Sequence, residues 1–189
     1  MDYIKELEAY RDQEINALKN LNIEEINVVM NVLERARLSG KHIFVCGNGG
    51  SAATASHYCC DFNKGISEKQ DIKYNFECLS DNIPTMMAVA NDTSYDEIFR
   101  SPLRNKMRQG DILIGISGSG NSKNVINACE YAKEIGGIVI VIVGYDGGKL
   151  KKIADYAIHV DVNDMQISED IHLVIDHMMM RVLQHKNYE

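Results

Sequence analysis

Little in this chain would divide it into separate units. Its 189 residues hold only two prolines, Pro84 and Pro102, and no Ser/Gly-rich linker, internal repeat or low-complexity tract interrupts them. That length supports one well-buried core and is short for two, so a single domain over 1–189 is expected, with 1–38 as a helical extension. No apolar run approaches the roughly 20 residues of a membrane span. The opening MDYIKELEAY is acidic and polar, without the basic and apolar regions of a secretory leader. A soluble, cytoplasmic protein is expected. The cysteines, Cys46, Cys59, Cys60, Cys78 and Cys129, are odd in number and follow no CxxC or zinc-finger spacing, which fits reduced thiols. Positive charge is also scarce: 20 Lys and Arg against 27 Asp and Glu leave a net charge of -7. Such a surface does not collect nucleic-acid phosphates, although backbone amides can still hold a small anion locally.

What is present is an alternation of periods. Ile4, Leu7, Ile15, Leu18 and Leu21 recur at helical spacing, and a second helix follows Asn22, with Glu25 placed to complete a capping box. HIFVC (42–46), KYNFECL (73–79), ILIGIS (112–117), IVIVIV (138–143) and YAIHV (156–160) then read as strands separated by helical patterns. Short apolar strands alternating with helices predict a parallel sheet covered on both faces, a doubly wound α/β fold. QISEDIHLVIDHMMMRVLQ predicts a terminal helix, its methionine run packing in the core or at a subunit interface.

Two of these strands end in residues suited to an anion. After HIFVC come Gly47, Gly49 and Gly50, which permit close backbone approach, and Ser51 at a helix start. After ILIGI, the stretch SGSGNS sets Ser117, Ser119 and Ser122 around Gly118 and Gly120, again before a helix. Neutral serines and amides bind phosphate without lysine, because helix dipole and several donors act together. Either loop alone is equally a tight turn with a cap. The first also matches G-x-G-x-x-A at Gly47, Gly49 and Ala52, a dinucleotide variant, but that ligand leaves the second loop without a purpose. Walker A and G-x-S-x-G patterns are absent. A monophosphate clasped from both loops is the economical reading.

His57 and Asp61 lie at i and i+4 on the helix after the first loop, so both address one point. On the terminal helix Glu169 stands three residues before His172 and eight before His177, roughly 12 Å in rise from the latter, so simple helix geometry pairs Glu169 with His172. Two His/carboxylate pairs on two helices suit zinc or a similar divalent ion. A base held near a phosphate-anchored sugar can move a proton between adjacent carbons.

GNGGSAATASHYCCD (47–61), AVANDTSYDEIF (88–99), GDILIGISGSGNSKNV (110–125), VGYDGGKL (143–150) and EDIHLVIDH (169–177) together resemble the sugar isomerase (SIS) domain family, and within it the phosphoheptose isomerases. These interconvert sedoheptulose 7-phosphate and an aldoheptose 7-phosphate in bacterial heptose synthesis for lipopolysaccharide or capsule. The resemblance implies a flavodoxin-like five-stranded parallel sheet, with two leading helices used in assembly, and a homotetramer with active sites where subunits meet. It places phosphate on Ser51, Ser117, Ser119 and Ser122, and lines the sugar pocket with Asn48, Gly49 and Asp92. Gly118 and Gln166 occupy further substrate positions, where the family has threonine and aspartate. Proton transfer falls to Asp61 and His177, and one zinc ion per subunit to His57, Asp61, Glu169 and His177, which replaces the geometric choice of His172.

Several of these positions depart from the family pattern. Asp61 stands for a glutamate, Glu169 for a glutamine, and Gly65, beside Lys64, for an arginine. The departures cluster at the sugar end and leave an isomerase of another sugar phosphate as an alternative. A second alternative, from a different class, is a non-catalytic phosphosugar-binding regulator of the kind that associates with a replication initiator.

Overall fold

A computed structural model describes residues 1–185, so the last four residues of the expected 1–189 unit lie outside the described residues. Five strands, β1 (Ile43–Cys46), β2 (Phe76–Cys78), β3 (Ile112–Ser117), β4 (Ile138–Val143) and β5 (Tyr156–His159), form one parallel sheet in the order β2-β1-β3-β4-β5. Every expected strand is found. β2 is shorter than its apolar run because only Phe76 to Cys78 pair with β1, while the Tyr74 N–H donates to the Ser67 hydroxyl at 2.9 Å.

Period-two alternation divides the strand side chains between two cores. Ile43 and Val45 of β1, Ile112, Ile114 and Ile116 of β3, and Ile140 and Ile142 of β4 face one side. Phe44, Cys46, Leu113, Val139, Val141 and Val143 face the other. Helices α1 (Ile4–Lys19), α2 (Ile23–Leu38), α3 (Gly50–Cys60) and α8 (Met165–His185) cover the first core. The second is covered by α4 (Ile83–Asp92), α5 (Arg100–Lys106), α6 (Lys123–Glu134) and α7 (Gly148–Ile153). On α8, Ile167, Ile171, Ile175 and Met179 recur every fourth residue and are fully buried. Each contributes about 1.5–3 kcal/mol of apolar burial, so this stripe fixes the helix against the sheet.

Asn22 caps α2 as expected, its Oδ1 accepting from the Glu24 and Glu25 N–H groups at 3.1 and 3.4 Å. The capping box is only half made. Glu25 Oε1 takes the Asn22 side-chain amide at 3.2 Å, and Oε2 takes the His159 N–H at 2.9 Å. β5 is an edge strand whose amides need partners, and Glu25 supplies one while tying α2 to the sheet. Ile4, Leu7 and Ile15 of α1 remain exposed. No helix among the described residues is long and apolar enough to cross a membrane.

Candidate functional site

In the order β2-β1-β3-β4-β5 the winding reverses between β1 and β3, and ligands of such sheets bind beyond the carboxyl ends at that point. The two anion-suited loops follow these two strands. Glycine is required at several of their positions for stated reasons. Gly49 has φ 55°, and a Cβ on Gly47 would stand 2.6 Å from the Ser51 carbonyl oxygen. Gly120, at φ 64°, closes the second loop: its N–H donates to the Ser117 carbonyl at 3.1 Å, and its own carbonyl accepts from the Leu150 N–H at 2.9 Å.

Asn48, Gly49, Ser51, Ser117, Gly118, Ser119 and Ser122 line one pocket of about 300 Å³ with Ile116, Met165 and Glu169. Ser117 and Ser122 hydroxyls meet at 3.1 Å, the Ser122 side chain does not cap its own helix, and Gly49 has no side chain with which to cap the other. The hydroxyls and helix-start amides thus face a common space large enough for a phosphate. Asn124 and Tyr95, which the sequence reading passed over, hold Asn48 in place: Asn124 Nδ2 and the Tyr95 hydroxyl both donate to Asn48 Oδ1 at 2.8 Å. Asp92 and Gln166 are not among the residues lining this pocket. Asp92 ends α4 as an exposed residue, accepting from the Asn91 amide at 2.8 Å, and Gln166 is exposed on the first turn of α8.

Beside that pocket a groove of about 290 Å³ is lined by Gly50, Ala53, Thr54, His57, Glu169, Asp170 and Leu173. Glu169 therefore borders both spaces, and its carboxylate lies where a Cβ on Gly50 would collide with it. α3 carries His57 toward α8 and ends at Asp61, where the chain widens into a π-helical turn, Asp61–Ile66. Such turns are frequent at functional sites. His57 Nε2 and His177 Nε2 stand 3.0 Å apart, and Asp61 Oδ2 lies 3.6 Å from the first and 4.0 Å from the second.

Asp176 joins them: one ligand atom from each of His57, Asp61, Asp176 and His177 lies within 4.8 Å of the others. The imidazoles are about half exposed, while Asp61 and Asp176 are buried. Asp61 Oδ2 and both Asp176 oxygens have no hydrogen-bond partner. Two imidazoles and two carboxyl groups facing one point are a donor set that fits a divalent ion.

The sequence reading named three of the four. Asp176 was missed, although Ser168, His172 and Asp176 form an i, i+4, i+8 polar stripe beside the apolar one, and all three are fully buried. His172, the choice of simple helix geometry, faces this interior and not the cluster, because α8 is rotated to bury its apolar stripe.

Residues 2–144 match the family model for the SIS domain. The chain belongs to the SIS domain family. It is 37% identical over 177 residues to a probable phosphoheptose isomerase of Thermoplasma acidophilum, a match covering 94% of this chain and 97% of that protein. With a phosphoheptose isomerase of Helicobacter pylori strain P12 it shares 32% over 190 residues, covering 97% and 96%. Among solved structures, the phosphoheptose isomerase of Neisseria gonorrhoeae superposes with a TM-score of 0.89 at 27% identity, over 97% of this chain and 100% of that one. That of Francisella tularensis, at 23% identity and a TM-score of 0.90, covers 98% and 100% and shares the fold.

Two buried groups give this SIS domain, free of metal, opposing responses to pH. Burial, and after it the neighbouring Asp61 charge, raises Asp176 from 3.8 to about 8. Burial lowers His172 from 6.5 to about 4, with the Val143 backbone opposing that shift. A raised acid stabilises fully below its unfolded value, and the contribution is lost as pH rises through the folded one; a lowered base loses its contribution as pH falls from its unfolded value. Between about 4 and 6.5 the two slopes oppose each other, whereas from about 6.5 to 8 only that of Asp176 acts. Chelator-treated protein should therefore lose about 2 kcal/mol over this upper range, at roughly 1.4 kcal/mol per pH unit. Urea midpoints at pH 6.5 and 8 measure it, and Asp176→Asn should remove the fall.

Proposed function

We propose that this chain is an aldose-ketose isomerase interconverting sedoheptulose 7-phosphate and D-glycero-D-manno-heptose 7-phosphate through an enediol. The observation that carries the reading is the adjacency of the serine-lined pocket to the His/Asp cluster, with Glu169 bordering the pocket and the neighbouring groove. Phosphate held by Ser51, Ser117, Ser119 and Ser122 anchors one end of the sugar, with Asn48, Gly49, Gly118, Asp92 and Gln166 as further substrate-binding positions. The other end then reaches the groups that move protons. The names of the relatives point to the same reaction.

In the ketose-to-aldose direction Asp61 takes a proton from C1, and the C–H electron pair forms the C1–C2 double bond. His177 gives a proton to the C2 carbonyl oxygen, which stays on the sugar as the C2 hydroxyl of the enediol. Asp61 then delivers its proton to C2 while the C1 hydroxyl passes its own to His177, which restores both groups and leaves an aldehyde at C1. Both groups come from α3 and α8 by way of packed helices, so their positions are set before substrate arrives. His57, Asp61 and His177 would hold a divalent ion, with zinc the expected metal, and such an ion supplies Lewis acidity that stabilises developing negative charge on oxygen.

The chain is further proposed to act in the cytoplasm, its thiols reduced, as a homotetramer. The exposed Ile4, Leu7 and Ile15 of α1 support a role for 1–38 in that assembly. Incubation with sedoheptulose 7-phosphate in deuterated water tests the function by NMR. Aldoheptose product with deuterium at the carbon beside the carbonyl is expected; binding of the sugar without product or exchange would redirect the assignment to another sugar phosphate or to a sensor.

A further inference from the structure

We propose that Cys59 and Cys78 are a modification site, which an uncharged hydroperoxide oxidises to a reversible disulfide that staples α3 to β2 and lowers turnover. The effect on turnover rests on the isomerase reading; the site itself does not.

The pair is made by the packing of α3 on β2. Cys59 stands on the last turn of α3 and lies, half-buried, against the core that contains Cys78 at the end of β2. Three residues before Cys59, the Ser56 hydroxyl donates at 3.1 Å to Oδ2 of Asp81, which stands three residues after Cys78. Two contacts of matching spacing hold the segments side by side, and the two thiols meet in a hydrogen bond of their own. The other cysteines are placed differently. Cys46 and Cys129 are fully buried in the opposite core, where burial pushes both thiols up. Cys60 is exposed and lies about 100° around the helix from Cys59.

The surroundings select the chemistry. The Cys59 thiol donates to Cys78 and holds it below the usual thiol range against its burial, with the Ser80 backbone assisting. A thiolate is the form that attacks peroxide. Asp81 and Glu77 place negative charge beside Cys59, which disfavours anionic oxidants and leaves an uncharged hydroperoxide. With hydrogen peroxide, the thiolate of the pair attacks one oxygen, the O–O bond breaks, and the second oxygen leaves as hydroxide, which takes up the proton the thiolate had lost. The other thiol then attacks the oxidised sulfur. Its S–O bond breaks, and the oxygen departs with the attacking thiol's proton as a second water, so two thiols and one peroxide become a disulfide and two waters.

A covalent bond holds two sulfurs closer than a hydrogen bond does, so the end of α3 is drawn toward β2. His57 and Asp61 lie two residues to either side of Cys59 and move with it. Their approaches to His177 on α8, 3.0 and 4.0 Å in the reduced chain, are the contacts this displacement disturbs.

The experiment treats reduced protein with a small excess of hydrogen peroxide, blocks the remaining thiols by alkylation, and maps the peptides by mass spectrometry beside turnover of sedoheptulose 7-phosphate. Wild type should yield peptides joined through Cys59 and Cys78 and lose turnover about tenfold, as a sub-ångström misplacement of catalytic groups costs, and dithiothreitol should reverse both changes. Cys59→Ser and Cys78→Ala should each keep turnover within about twofold under the same treatment, which separates the disulfide from oxidation of Cys60.

Folded wild type that forms no Cys59–Cys78 bond under peroxide overturns the proposal, whether or not either variant folds. A mapped bond with unchanged turnover, or a loss of turnover that persists in Cys59→Ser, overturns the inactivation. Reduced wild type without any turnover refutes the isomerase reading instead, and mapping then decides the modification by itself.

Discussion

Asp61→Asn is expected to lower kcat about 10³-fold while changing sugar-phosphate affinity only a few-fold, because general base catalysis contributes on that scale and the phosphate is held elsewhere. The two halves of the site are carried by different parts of the chain. Ser117, Ser119 and Ser122 belong to the loop after β3, whereas Asp61 ends α3. An asparagine keeps the shape of Asp61 and removes its capacity to take a proton. Since Asp61 also faces the imidazoles, metal content should be measured alongside turnover. Loss of turnover at unchanged metal content marks the base, loss of both marks the ligand, and a wild-type kcat would take Asp61 out of the reaction altogether. Deuterium exchange at the carbon beside the carbonyl should fall in parallel with kcat.

Gly120→Ala is expected to be the most damaging small substitution near the pocket. The residue has φ 64°, and an added Cβ would collide with the backbone carbonyl of Gly147, which has no rotamer through which to yield. Two main-chain bonds and one to a side chain fasten this loop to the segment after β4: Gly144 N–H to Gly118 carbonyl at 2.8 Å, Leu150 N–H to Gly120 carbonyl at 2.9 Å, and Lys149 N–H to Asn121 Oδ1 at 3.0 Å. Forcing the two backbones apart breaks this set. A loss of about 3 kcal/mol in stability and of about 100-fold in phosphate-sugar affinity is expected. Thermal unfolding and calorimetry measure these, and a variant with wild-type affinity would show that the serine loop tolerates displacement.

That interlock explains VGYDGGKL, a motif that contributed to the family resemblance without a chemical role. Its glycines permit the turn after β4 to lie against the serine loop after β3, a requirement invisible in the linear sequence. The sheet, by contrast, was legible throughout. Five apolar runs, two glycine-serine loops and the helices between them imply a doubly wound fold, and the loops after β1 and β3 then fall at its reversal point with no further assumption. Legibility failed where the rotation of a helix decides. Helix geometry alone paired Glu169 with His172, but burial of Ile167, Ile171, Ile175 and Met179 turns His172 inward and brings Asp176 to the cluster. Asp176 reads as a surface acid until the partner face of α8 is known. The departures from the family pattern also have partners that only packing reveals: at Gly118 a side chain would strike Met165, and at Gly65 it would strike Met180.

The imidazoles that meet at 3.0 Å are separated by 120 positions in the chain. During synthesis both anion-suited loops and their strands emerge well before α8, at a stage when the chain holds only the His57 and Asp61 half of the His/Asp cluster and lacks Met165 and Glu169 of the serine-lined pocket. Closing contacts so distant in sequence is among the slower steps of folding. An ion held by His57, Asp61 and His177 would couple its capture to the docking of the last helix, and its uptake would report that this helix is in place.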